Sequence, residues 1–249
     1  FITYKNQLAN QNFYSLFFYT SFFILFSSIL NNNKVIVANF FILLALRRIF
    51  SMHSLKDTKQ KIFDAAFWIL IAALFHFWSI LFIILLYFAI LWFVSEDYRN
   101  WFIPTIALLA VSILFYTYGL YTNVSFLDYW NEHILISFNF VYFENIYQNI
   151  ALALFSSIAC LFAFSQVLEL RNLPISSHAV YNKLLVCFLI GVAVFVFSDQ
   201  KNNSMLVYTF FPLAVLGANY IERLPKNWMK EVTLASVLII SLGIFFMQL

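Results

Sequence analysis

Ile62 to Val94 reads IFDAAFWILIAALFHFWSILFIILLYFAILWFV, 33 consecutive positions whose only formal charge is Asp64. As one helix this tract would be a rod of about 50 Å, against a bilayer hydrocarbon core of about 30 Å. It either tilts and overshoots the membrane or folds back as two short helices. The distribution of cations chooses between these, because short cytoplasmic connections collect Lys and Arg. With one continuous helix, the 14 Lys and Arg of the chain divide seven and seven. With a turn near His76, Phe77, Trp78 and Ser79, one side gathers Lys5, Arg47, Arg48, Lys56, Lys59, Lys61, Arg99, Arg171, Lys183, Arg223, Lys226 and Lys230, and only Lys34 and Lys201 remain opposite. A division of twelve to two predicts the hairpin.

Outward from this tract, further apolar runs lie at Phe13 to Leu30, Val35 to Phe50, Trp101 to Tyr121, Ile146 to Phe164, Leu184 to Phe197, Met205 to Ile221 and Val232 to Leu249. The expected fold is all-α: a polytopic transmembrane bundle of about nine membrane segments. It forms a single transmembrane domain over 1–249, with the N-terminal end of this sequence cytoplasmic and the C-terminus extracytoplasmic. Residue 1 is Phe rather than Met, with no charged leader and cleavage site after it, so the natural N-terminus is expected to lie upstream.

Composition supports the same class. Of 249 residues, 63% are hydrophobic and 10% charged, with a mean hydropathy of +0.87. Water-soluble domains carry roughly a quarter charged residues. That contrast excludes a soluble enzyme, a nucleic-acid binder with a basic face, a disulfide-stapled module and a disordered chain. The 33 Phe and 14 Tyr match the coding bias of an AT-rich genome, so aromatic abundance alone implies no ligand. Cys160 and Cys187 lie in apolar runs with no partner at metal-ligand spacing and read as small buried hydrophobes. No metal and no cofactor is expected.

The inner connections are a basic one from Arg47 to Lys61, a short one with Glu96, Asp97 and Arg99, a longer one from Ser165 to Lys183, and one from Glu222 to Lys230. Arg47 and Arg48 read as interfacial anchors, and Asp64 as complementing a helix start or pairing with a cation such as Lys61. Outside lie two Asn-rich turns, Asn31 to Lys34 and Asp199 to Asn203, and the hairpin tip at His76. A long connection over 122–145 also lies there. It has no Lys or Arg, and its Asp128, Glu132 and His133 among aromatic residues suggest an amphipathic segment in the interface plane.

One boundary thereby collects the candidates. Asp128 and Glu132, spaced by four, share a helix face if that segment is helical, where an apolar wall could fit a carboxylate for general acid or base work. Lys34 and Lys201 could clamp a lipid phosphate, with Asn33, His76, His133 and Asp199 nearby as binding groups. The plainer reading is that outer loops of any polytopic protein need polar residues. The chain contains no phosphate loop, H-E-x-x-H, G-x-S-x-G or G-x-G-x-x-G, which argues against ATP-driven work. Paired mid-helix carboxylates of the transporter kind are missing too.

The stretch SSILNNNKVIVANFFILLALRRIF and the following KIFDAAFWILIAALFHFWSILFIILLYFAIL resemble the central part of GT-C type membrane glycosyltransferases. In that family an outer turn leads through a helix to a basic loop and a pair of short helices. NNSMLVYTFFPLAVLGANYIERL is similar to their later outer turn and Tyr/Pro helix. The pattern LLALRR…KIFDAAFW also resembles uncharacterised polytopic inner-membrane proteins of Gram-negative bacteria. The GT-C resemblance implies inverting transfer of a sugar from a polyprenyl-phosphate donor at the outer face, with an acid in the first outer loop as base. No residue here matches that acid, and Asp128 and Glu132 stand in by position only. The alternative is a non-catalytic membrane subunit or scaffold of an envelope complex. Expected partners are membrane lipid, polyprenyl phosphate in the first reading, and other membrane subunits in the second; no nucleic acid is expected.

Overall fold

The computed structural model of the protein describes residues 2–6, 8, 12–122, 146–172, 175–198 and 201–248. Among these, after a single helical turn at Ile2–Lys5, nine α-helices follow: α1 (Asn12–Leu25), α2 (Asn33–Ser51), α3 (Thr58–Phe75), α4 (Phe82–Phe93), α5 (Arg99–Thr122), α6 (Ile146–Glu169), α7 (Ile175–Phe197), α8 (Val207–Arg223) and α9 (Asn227–Gln248). No strand occurs among the described residues. The chain forms two compact units, one of residues 1–33, 140–192 and 202–249, the other of 34–139 and 193–201.

In the second unit the 33-residue tract breaks at its centre. His76 leaves the helix with φ −141° and ψ 106°, although its own N–H still closes the last turn on the Ala72 carbonyl at 3.0 Å. Its carbonyl then accepts both the Ser79 amide at 3.0 Å and the Ser79 hydroxyl at 2.8 Å. A 3-10 turn, Phe77–Leu81, carries the chain into α4. Neither Gly nor Pro is needed, because a Ser three residues on takes up the acceptor that the broken helix frees.

The return is fixed at the far end. Lys59 Nζ, at the start of α3, sits 3.1 Å from Asp97 Oδ2, just beyond α4. The His53 ring, before α3, meets Phe93 at 5.8 Å between centroids. Residues 59 and 97 can meet only if the tract doubles back. The same end holds an Arg48–Asp64 ion pair at 2.8 Å, while Lys61 donates to the Ser51 carbonyl at 2.9 Å and the Ser54 hydroxyl at 2.7 Å. Asp64 therefore pairs with Arg48 across two helices and not with Lys61, whose ammonium is engaged by the preceding turn. Phe41 stacks on Trp68 at 5.5 Å, joining α2 to α3, and α5 packs along α3.

In the first unit α8 is the centre, almost wholly buried among α1, α6 and α9. A phenylalanine cluster fills the space. Phe18 meets Phe162 at 5.3 Å, Phe22 meets Phe155 at 5.2 Å, and Phe210 stacks on Phe26 at 5.9 Å. Gly217 lets α8 approach closely, since a Cβ there would lie 2.7 Å from Phe162 Cε2 and 3.1 Å from Phe18 Cδ2. These rings pack the interior of the unit, while others such as Phe13, Phe102 and Phe246 are exposed.

Two connections are shorter than the sequence suggests. The inner connection expected from Ser165 to Lys183 is mostly helix, because α6 continues to Glu169 and α7 starts at Ile175. Lys183 is thus a helical residue, fully buried, and no longer counts among loop cations. Asn33 and Lys34 likewise open α2 instead of belonging to the preceding turn. Pro104 lies inside α5 as its sixth residue, because the helix starts at Arg99.

Candidate functional site

The hairpin tip brings together part of the predicted outer set. His76 Nε2 and Ser198 Oγ are 3.4 Å apart, and Trp78 stacks on Phe197 at 5.4 Å, pinning the tip against the end of α7. Lys201 Nζ donates to the carbonyls of Val196 at 2.6 Å and Ser198 at 3.2 Å. It is 7% exposed. A helix ends with carbonyls that lack intrahelical partners, and a cation there satisfies them and complements the helix dipole. Lys201 therefore closes the C-terminal end of α7 with the ammonium that the phosphate-clamp reading assigns to a ligand.

Lys34 and Asn33 are exposed at the start of α2, and no hydrogen bond or ion pair joins Lys34 to Lys201 among the described residues. Asp128, Glu132 and His133, with the rest of 123–145, and Asp199 lie outside the described residues. Among the described residues, no group of three or more His, Cys, Asp or Glu could hold a metal ion.

A second polar cluster lies in the first unit. Asn32 Nδ2 donates to Ser204 Oγ at 3.3 Å, Asn203 Nδ2 to the Gln148 carbonyl at 3.2 Å, and the Ser27 hydroxyl to Gln248 Oε1 at 2.8 Å. The Asn-rich turn before α2, the turn before α8, the start of α6 and the end of α9 thus share one end of this unit. That is the parity the threading predicts. The opposite end holds Arg223 Nη2 donating to Gln166 Oε1 at 3.0 Å. Sequence reasoning read Gln166 and Lys183 as part of an inner connection and did not single out Asn219, whose only signal was a polar residue within an apolar run.

Six of the nine helices or their extensions are long and apolar enough to cross a bilayer. Together with the shorter α1 and the folded-back α3 and α4, they define a multi-pass helical membrane protein. Within that class, the chain belongs to a family of unknown function, DUF6427, whose family model matches residues 1–249. No curated protein and no solved structure matches the chain.

Proposed function

We propose that the chain is a non-catalytic membrane subunit that holds other components of a bacterial envelope assembly in the inner membrane, with its C-terminus extracytoplasmic. The observation that carries this reading is Lys201: the cation most suited to gripping phosphate at the hairpin tip is bound by two carbonyls and nearly buried. The phenylalanine-filled unit around α8 supports it, since its described interior is side chain. Broad apolar faces supply the holding surface. Ile106, Leu109 and Ile113 of α5 and Ile239 and Phe246 of α9 are exposed.

A second reading is favoured by the hairpin itself, the element that the resemblance to GT-C glycosyltransferases implies. In it Asp128 or Glu132 deprotonates an acceptor at the extracytoplasmic face, and Lys34, with Asn33, His76, His133 and Asp199, holds a polyprenyl-phosphate-linked sugar.

Titration of the purified protein in nanodiscs with a polyprenyl phosphate separates the two. The subunit reading expects no saturable binding above that of the surrounding lipid. Saturable binding that Lys34→Ala removes would replace it with the enzyme reading.

A further inference from the structure

In the second unit the charges on α2 and the hairpin fall in two layers that lie closer together than a bilayer core is thick. The Arg48–Asp64 ion pair, at 2.8 Å, sets one residue of α2 level with one of α3. Phe41 stacks on both Trp68 and Phe75, so the two helices run antiparallel from that pair toward the hairpin tip. Lys34 opens α2, about 21 Å along the helix from Arg48. On α3 no charge follows Asp64 before the helix ends at Phe75, about 17 Å further on. The return helix α4, Phe82–Phe93, covers about 18 Å. The hydrocarbon core of a bilayer is about 30 Å thick, and tilting a helix only shortens its reach across it.

The basic layer cannot snorkel outward to close that gap. Arg48 is tied to Asp64, whose short carboxylate stem holds the pair at its own depth. The two side chains are 38% and 22% exposed, and Arg47 beside them is exposed as well. A full-thickness core measured from the tip would end near Lys59 and Asp97 and put these charges among acyl chains, where they are expensive. Between the layers the surface is apolar and exposed at Val37 and Phe40 of α2 and at Ile84, Phe88 and Leu91 of α4. Lipid therefore meets this face directly. The shortness belongs to these elements alone, because α5 in the same unit runs from Arg99 to Thr122, about 36 Å.

We propose that the face made by α2, α3 and α4 is matched to a lipid bilayer whose hydrocarbon is only about 20 Å thick, and that the protein draws the surrounding leaflets inward there. Its partner is a collar of phospholipid, with headgroups level with Lys34 at the tip end and with Arg47, Arg48 and Asp64 at the basic end. A hydrophobic stretch shorter than the core is met by local thinning at a modest cost per ångström, whereas leaving the bilayer flat submerges three charges.

The test uses the full chain in fluid phosphatidylcholine bilayers of increasing thickness, from dimyristoleoyl through dioleoyl to dierucoyl. Single nitroxide labels are placed at Lys34→Cys and Leu91→Cys, with the exposed Cys160 replaced by Ala. The Lys59–Asp97 contact puts Leu91 within about one turn of the level of Asp64, so the two labels mark the two layers. Both are expected to stay accessible to a water-soluble nickel relaxant in every lipid, while a label at Leu109→Cys, midway along α5, answers to oxygen alone. Loss of nickel access at either layer in dioleoyl or dierucoyl bilayers would mean a flat membrane and would overturn the proposal. The unlabelled wild type supplies a second reading: its melting temperature should be highest in dimyristoleoyl lipid and fall as the chains lengthen. A maximum in dioleoyl or dierucoyl lipid, or no dependence on thickness, would overturn it too.

Discussion

Lys201 shows how a residue's chemistry is decided by what lies within 3 Å of it. From sequence it is one of two outward cations and a natural phosphate ligand; in the fold it satisfies the carbonyls at the end of α7. Lys201→Met strands two acceptors and is expected to cost about 1–3 kcal/mol, read as a lower melting temperature in detergent. Lys201→Arg should recover part of the loss. Asp97 offers a pH-dependent check at the other end of the hairpin. The Arg99 amide, donating at 3.1 Å, and then Lys59 hold its carboxyl below the usual carboxylate range. A lowered folded value means that its contribution is present above the unfolded value and disappears as pH falls through the folded one. Thermal melts of Asp97→Asn and wild type should therefore differ slightly at neutral pH and converge in acid. Asp64 illustrates what sequence proximity misses, because its partner Arg48 comes from the preceding helix and is brought there by the turn over 52–57.

At the scale of the element, the hairpin was legible from cations that lie outside it. The tract contains no Gly or Pro to mark a turn, and its centre differs from its flanks only in His76 and Ser79. What exposed the break was the distribution of Lys and Arg, because a helix of the wrong length reverses the side of everything downstream. The Ser79 hydroxyl reinforces a bond that its amide already makes, so Ser79→Ala is expected to cost about 1 kcal/mol and leave the turn in place, measurable by urea or thermal unfolding. The connection over 165–183 was misjudged for a related reason. His178, Asn182 and Lys183 read as polar loop, yet α7 runs through them, since a polar residue buried by neighbouring helices is indistinguishable in sequence from one in water. Close helix approach was equally silent. Gly217→Ala should cost about 1–3 kcal/mol by overpacking against Phe162 and Phe18, seen as a fall in melting temperature.

For the whole molecule, the nine helices among the described residues and the pairing of their ends follow from run lengths and charge, which physics ties to bilayer thickness. The site was less legible. Asp128, Glu132, His133 and Asp199 fall outside the described residues, and the shared depth of Arg48 and Asp64 becomes visible only when packing brings their helices together. The account rests on the tract doubling back, and the most direct measurement is a distance between its ends. With Lys59→Cys and Asp97→Cys in one chain, the doubled-back tract predicts efficient coupling by a short thiol cross-linker, within a monomer and independent of protein concentration. A continuous helix would hold the two positions about 57 Å apart; no cross-link, with spin labels reporting a separation of that order, would contradict the account.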